Sequence, residues 1–338
     1  MSGNYPRRGS TQRIQTLEKE RGVFFNGNFY TGIAISSLTL LAASTTPIVG
    51  TLITLFTPLP ILFFYYKAGR LQGMAILIIS LLAVTLFHIF VGITANLPLL
   101  YLSGFTGVFL AELLKRNYTI EKTVIYPVAT ISILWFLFLI TLGYHLGKTP
   151  WHLIEGHIAE NIRESIQIYS QLGISAEQIN EIRENATHIT QFFTNISPAF
   201  VVIGISFTMW INILFARELF HKNKIWYPDF GDLSRWKTPD RLIWLLIIAA
   251  GTLLIPVSEV IFTGLNLLLV CLFVYLLQGF SITSFFFKRK KIPRPVRFIF
   301  YFVIAIQQYM LLPLIALGIF DLWIDFRKYI TPATDTTS

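Results

Sequence analysis

The sequence is poor in cysteine and poor in charge. Its single cysteine, Cys271, excludes an intrachain disulfide framework and any metal site built from cysteines alone. Charged residues are 13% of the 338, against about 25% in soluble domains. Catalytic signatures are also missing. There is no Gly-rich phosphate loop, no GxSxG turn, no HExxH helix and no pair of carboxylates inside an apolar run. The motif-bearing classes of ATPase, serine hydrolase and zinc peptidase therefore find no support.

What is abundant is apolar. Hydrophobic residues make up 54% and aromatics 15%, with 30 Phe and 7 Trp, and the mean hydropathy is +0.61. Crossing the ~30 Å hydrocarbon layer takes about 20 mostly uncharged residues in a helix. Leu71–Ile93 meets that requirement with one ionisable group, His88. So do 124–142, 198–215, 260–287 and 298–320, and the shorter runs 99–114 and 242–255 suffice with their flanks. Residues 30–66 are too long for one helix and contain Pro47, Pro58 and Pro60, which predicts two crossings turning near Thr45-Thr46-Pro47. The expected fold is all-α: a polytopic helical membrane protein with eight or nine transmembrane helices.

Basic residues give the orientation. Of the 27 Lys and Arg, 22 fall in residues 1–28, at Lys67 and Arg70, at Lys115, Arg116 and Lys122, and in 217–241 and 288–297. The other five are Lys148, Arg163, Arg183, Arg327 and Lys328. Positively charged loops resist translocation, so the larger set is cytoplasmic and the N-terminus is inside. The first apolar run shows no cleavage site and reads as an uncleaved anchor. The net charge of +9 is spread over these loops without a nucleic-acid recognition fold, so nucleic acid is not an expected partner and membrane lipids are. If 298–320 is re-entrant instead of spanning, the C-terminus returns to the cytoplasm and eight crossings remain.

One segment breaks the pattern. Residues 148–194 carry six Glu against one Lys and two Arg. Ile154, Ile158, Ile162, Ile166 and Tyr169 recur at helical spacing, Gly173 suits a helix end, and Ser175-Ala176-Glu177-Gln178 is a capping box. These features predict an extracytoplasmic amphipathic hairpin, either lying on the membrane surface or covering an outward-facing cavity. His145, His152, His157 and His188 lie in or beside it, yet no pair has the i, i+4 spacing of a helical metal site. No metal and no cofactor are expected. The organisation is then a basic tail (1–28), a first membrane block of about five helices (29–145), the hairpin (146–196), a second block of three to four helices (197–320) and a C-terminal tail (321–338).

Polar groups inside apolar runs are costly and are functional candidates. Glu112 has Lys115 and Arg116 at i+3 and i+4, which predicts an intrahelical ion pair. His88 reads as a neutral imidazole bonded to the backbone of a neighbouring helix, and Glu259 as part of an external turn. Asn266, Gln278, Gln307 and Gln308 lie in the last two long runs. They serve either as interhelical hydrogen bonds or as the lining of a common interior that binds a solute. Asp321 and Asp325, at i, i+4 with Arg327 adjacent, read as an ion-pair network fixing the end of the final helix. The small residues Ser103, Gly107 and Ala111 form a stripe for close helix packing.

Three stretches carry a resemblance: Leu233 to Trp244 (LSRWKTPDRLIW), Asn266 followed by YLLQG at 275–279, and LGIFDLWIDFR at 317–327. Together they resemble the YybS-like family of bacterial multi-pass membrane proteins, over about residues 30–328. That family carries no assigned reaction and is distantly similar to the substrate-binding S components of energy-coupling-factor transporters and to the envelope-shape protein MreD. S components have six helices, fewer than this chain, so transport does not carry over from the resemblance residue by residue. The polar residues of the last two runs beneath the external hairpin, with no catalytic set, lead to the expectation of a non-enzymatic small-solute-binding or transport subunit. It is expected in the bacterial inner (plasma) membrane, with a membrane-protein or ATPase module as partner. The alternative is a scaffold for cell-envelope or membrane-complex assembly. An intramembrane enzyme using Asp321, Asp325 and Arg327 is the third and weakest reading.

Overall fold

The computed structural model describes residues 27–92, 97–173 and 175–330. Among them every regular element is helical: α1 (Gly27–Thr45), α2 (Pro47–Thr54), α3 (Pro58–Ala68), α4 (Arg70–Val91), α5 (Leu97–Lys115), α6 (Ile120–Leu146), α7 (Pro150–Gln171), α8 (Ala176–Glu184), α9 (Ala186–Lys222), α10 (Leu242–Thr252), α11 (Ser258–Arg289), α12 (Arg294–Ile306), α13 (Leu311–Ile324) and α14 (Phe326–Ile330), with short 3₁₀ turns at Leu233–Arg235 and Gln308–Met310. Residues 1–26 of the basic tail lie outside the described residues, and its last two, Gly27 and Asn28, open α1.

The all-helical class stands. Among the described residues, six helices are long and apolar enough to cross a membrane, or seven if one bent pair is a single span. The count differs from eight or nine for physical reasons. The break at Thr46 falls where it was expected, but α1, rich in Ser, Thr and Gly, does not qualify as a span. Helix α10, with 11 residues, reaches only ~16 Å at helical rise. Residues 298–320 are not one straight helix, because α12 and α13 meet at 110°.

The contacts divide the chain into two units. The first runs to Ile133 and resumes at Ile205–Asp229. Here α3 packs on α4 and α5, and Gly107 makes the approach possible, since a Cβ there would meet the Pro58 carbonyl oxygen. Asn212 Nδ2 donates to Leu55 O at 2.7 Å, tying α9 to the end of α2. Glu112 is not paired within its own helix as its neighbours suggested. It accepts a fork from Arg70, Nε to Oε1 at 2.9 Å and Nη2 to Oε2 at 2.7 Å, plus the Tyr65 hydroxyl at 2.7 Å. Lys115 instead lies over the Tyr65 and Tyr66 rings. His88 is buried, but it does not bond a neighbouring helix as expected: Nδ1 lies 2.8 Å from Val84 O in the preceding turn of its own helix.

The second unit comprises Leu134–Gly204 and the chain from Phe230 onward. It contains the amphipathic insert. Thr149 caps α7, its Oγ1 accepting from His152 N at 3.2 Å, and Pro150 occupies the first turn, where its missing N–H costs nothing. Gly173 takes φ +74°, and Ser175 caps α8 through Gln178 N, both as the sequence indicates. The second arm then passes into α9, a 37-residue helix of ~55 Å. Pro198 deprives Thr194 O of its helical donor, and the Ser197 hydroxyl takes that place at 2.8 Å.

Candidate functional site

Helix α11 is 32 residues long, ~48 Å, and α13 crosses it just past its middle. Two glycines make the crossing close. A Cβ on Gly279 would collide with Leu314 O, and one on Gly318 with Tyr275 O, so backbone meets backbone. This approach sets Asp321, one turn past Gly318, beside Gln278, the neighbour of Gly279.

Asp321 is the hub of what forms there. Its side chain is 0% exposed. Oδ2 accepts from Gln278 Nε2 at 3.0 Å and from Arg327 Nη1 at 2.6 Å, while Oδ1 accepts from Phe326 N at 3.0 Å. Arg327 can return to it because Asp325 ends α13 at φ +45°, a left-handed conformation that Asp tolerates better than most residues. The same guanidinium reaches the 230–241 segment: Nη2 donates to Trp236 O at 2.9 Å, and Nε lies 3.4 Å from Ser234 O. Ser281 Oγ accepts from Arg327 at 3.1 Å and sits 2.9 Å from the carbonyls of both Leu233 and Trp236. Gln278 Oε1 accepts from Thr238 N at 3.1 Å.

Ion pairs extend this clasp outward. Lys237 Nζ is 3.3 Å from Asp325 and 4.0 Å from Asp321. Burial pushes the Asp325 carboxyl upward, but Lys237 and Lys328 outweigh it and hold the group below the usual carboxylate range. Asp232 caps the 3₁₀ turn through Ser234 N and pairs with Lys288. Burial opposes ionisation there too, and the bonds from Lys288 and Ser234 win, holding Asp232 at about 2. The Ser234, Thr238 and Tyr275 hydroxyls are buried without a protein partner.

The seven residues singled out in the sequence do not share one interior. Gln278, Asp321 and Arg327 meet directly, and Asp325 joins them through Lys237. Asn266 lies 12 residues before Gln278, ~18 Å along α11. Its amide brackets one step of α9, Oδ1 accepting from Ala199 N at 2.8 Å and Nδ2 donating to Asn195 O at 2.8 Å. It is an interhelical staple. Gln307 and Gln308 are exposed at the bend between α12 and α13, where the helix stops, so they do not project from a continuous mid-span helix. Sequence reasoning missed Ser281 and Lys237. Lys237 lay inside a quoted stretch, but nothing local marks its partner 88 residues away.

The clasp also fixes the C-terminal turn beside the 230–241 segment. Arg327 is bonded to residues 234 and 236, so α14 lies at the same end of the unit as the 230–241 segment.

A second feature lies in the insert. Helix α7, the turn before it and the first turns of α9 enclose an open groove of about 920 Å³. Ile162 and Ile166 line its wall, with Lys148, Arg163 and Arg183 against Glu155 among its charges. Among the described residues, no three of His, Cys, Asp or Glu come together as a metal site.

The apolar spans define a multi-pass integral membrane protein. The chain belongs to the family described as predicted membrane protein DUF2232, whose model matches residues 34–322. No curated protein and no solved structure matches it.

Proposed function

We propose that the chain is a non-enzymatic, small-solute-binding subunit of a transport system, set in the bacterial inner (plasma) membrane with its N-terminus in the cytoplasm. The groove on the charged insert carries this reading. Its volume of about 920 Å³ falls within the range of ligand pockets, and it combines an apolar wall with polar groups. Arg163 is paired with Glu160 at 3.2 Å, and the remaining cations, Lys148 and Arg183, against the single lining carboxylate, Glu155, suit an anionic solute. An energising ATPase module is required, because the sequence has no phosphate loop. The resemblance to S components points the same way.

A scaffold for envelope assembly is the second reading, and the clasp favours it. Its charged groups are committed to internal bonds that fix the 230–241 segment and the C-terminal turn.

The purified protein, warmed with a panel of small carboxylates and organic phosphates, is expected to be stabilised by at least one. Lys148→Glu/Arg183→Glu should weaken that ligand by roughly tenfold, the combined effect of two exposed charge contacts. Copurification from native membranes should bring an ATPase and its transmembrane coupler. Envelope-assembly proteins without an ATPase, and no stabilising solute, would replace the transport reading with the scaffold.

A further inference from the structure

Helix α12 presents an apolar stripe that no part of the described chain covers. Phe298, Ile299, Phe302, Val303 and Ile306 follow i, i+1, i+4, i+5, i+8 and are 41–70% exposed. The opposite face is occupied. Ile304 is buried, the Phe300 ring meets Phe287 edge-on at 5.1 Å, and Arg297 donates to Ile292 O and Phe287 O at 2.8 and 3.1 Å. The helix therefore has one side on α11 and one side bare.

Its length rules out a crossing. Thirteen residues rise ~20 Å, short of the ~30 Å hydrocarbon layer, and the chain turns by 110° at Gln307 instead of continuing. Two exposed amides mark that turn. At the other end, Arg289, Lys290, Lys291 and Arg294 are all exposed, and no acidic residue occurs between 286 and 306. An amphipathic helix with a cationic start and a bare aromatic stripe is built to lie in a membrane interface.

We propose that α12 lies within one leaflet, without crossing, and that the basic cluster at its start recognises anionic phospholipid headgroups. The stripe enters the acyl region just below the headgroups, and the four cations engage lipid phosphates. This rests on geometry and charge in the 288–306 segment and is independent of any solute in the groove.

The test uses the full chain in a Cys271→Ser background, reconstituted in phosphatidylcholine bilayers with or without phosphatidylglycerol. A nitroxide on Phe302→Cys reports depth through its relative accessibility to oxygen and to a water-soluble nickel chelate. The expected position is ~5–10 Å below the headgroups. A label at the bilayer midplane, or one shielded from both reagents, overturns the proposal. Spin-labelled phosphatidylglycerol should be retained over phosphatidylcholine by roughly fivefold or more, declining in high salt. Lys290→Glu/Lys291→Glu/Arg294→Glu should abolish that preference. Equal retention of the two lipids by the unsubstituted basic cluster, or a preference unchanged in the triple variant, overturns it as well.

Discussion

Arg327→Leu is expected to destabilise the protein by about 3–5 kcal/mol, because it strips the cation bonded at 2.6 Å from a fully buried carboxylate. Lys237, at 4.0 Å and half-exposed, cannot take its place without moving. The variant also leaves the Trp236 carbonyl short of a donor. Unfolding in mixed detergent micelles, followed by helical signal, measures the loss. The double variant Asp321→Leu/Arg327→Leu should recover part of it, since a buried ion pair replaced whole by apolar groups is often close to neutral. Recovery stays partial because Gln278 and Phe326 N lose their acceptor. A single variant within about 0.5 kcal/mol of the parent would mean that the clasp does not hold this end together, a size ordinary for unimportant surface changes.

Gly318→Leu should be nearly as severe. The added Cβ would meet the Tyr275 carbonyl and the Gly279 backbone nitrogen, neither of which can rotate away as a side chain tip can. Overpacking of this kind costs about 1–3 kcal/mol and more when backbone must shift. The effect should extend beyond the crossing. Separating α13 from α11 draws Asp321 away from Gln278, so Gly318→Leu and Arg327→Leu should be less than additive. Gly204→Ala is the control, since its Cβ meets nothing within 4 Å and the change favours helix by up to ~1 kcal/mol. Comparable losses from both glycines would point to a general intolerance of substitution and away from the crossing.

Local features were legible in the sequence, and long-range ones were not. The apolar runs, the break at Thr46, the Ser175 cap and the left-handed Gly173 each depend on a few adjacent residues, and each appears where the pattern puts it. The break at Gln307 was obscured by an apolar run that continues on both sides. One signal was present: Pro313 fits without penalty only in the first turn of a helix, which requires a new helix near Leu311. Gln278 stood out as a polar residue in apolar surroundings, but its partners Thr238 and Asp321 lie 40 and 43 residues away. Asn266 likewise stood out, and its staple to α9 spans 67–71 residues. No spacing rule reaches that far.

We propose that the groove-bearing insert and the clasp lie on opposite faces of the membrane, with the C-terminal turn on the clasp side. Labelling of single cysteines with an impermeant maleimide in intact cells tests this most directly, and the one native thiol, Cys271, is buried and replaceable by Ser. Glu177→Cys should react in intact cells, whereas Lys224→Cys and Tyr329→Cys, all three at exposed positions, should react only after permeabilisation. Reaction of Tyr329→Cys in intact cells alongside Glu177→Cys, or of all three from one side, would contradict it.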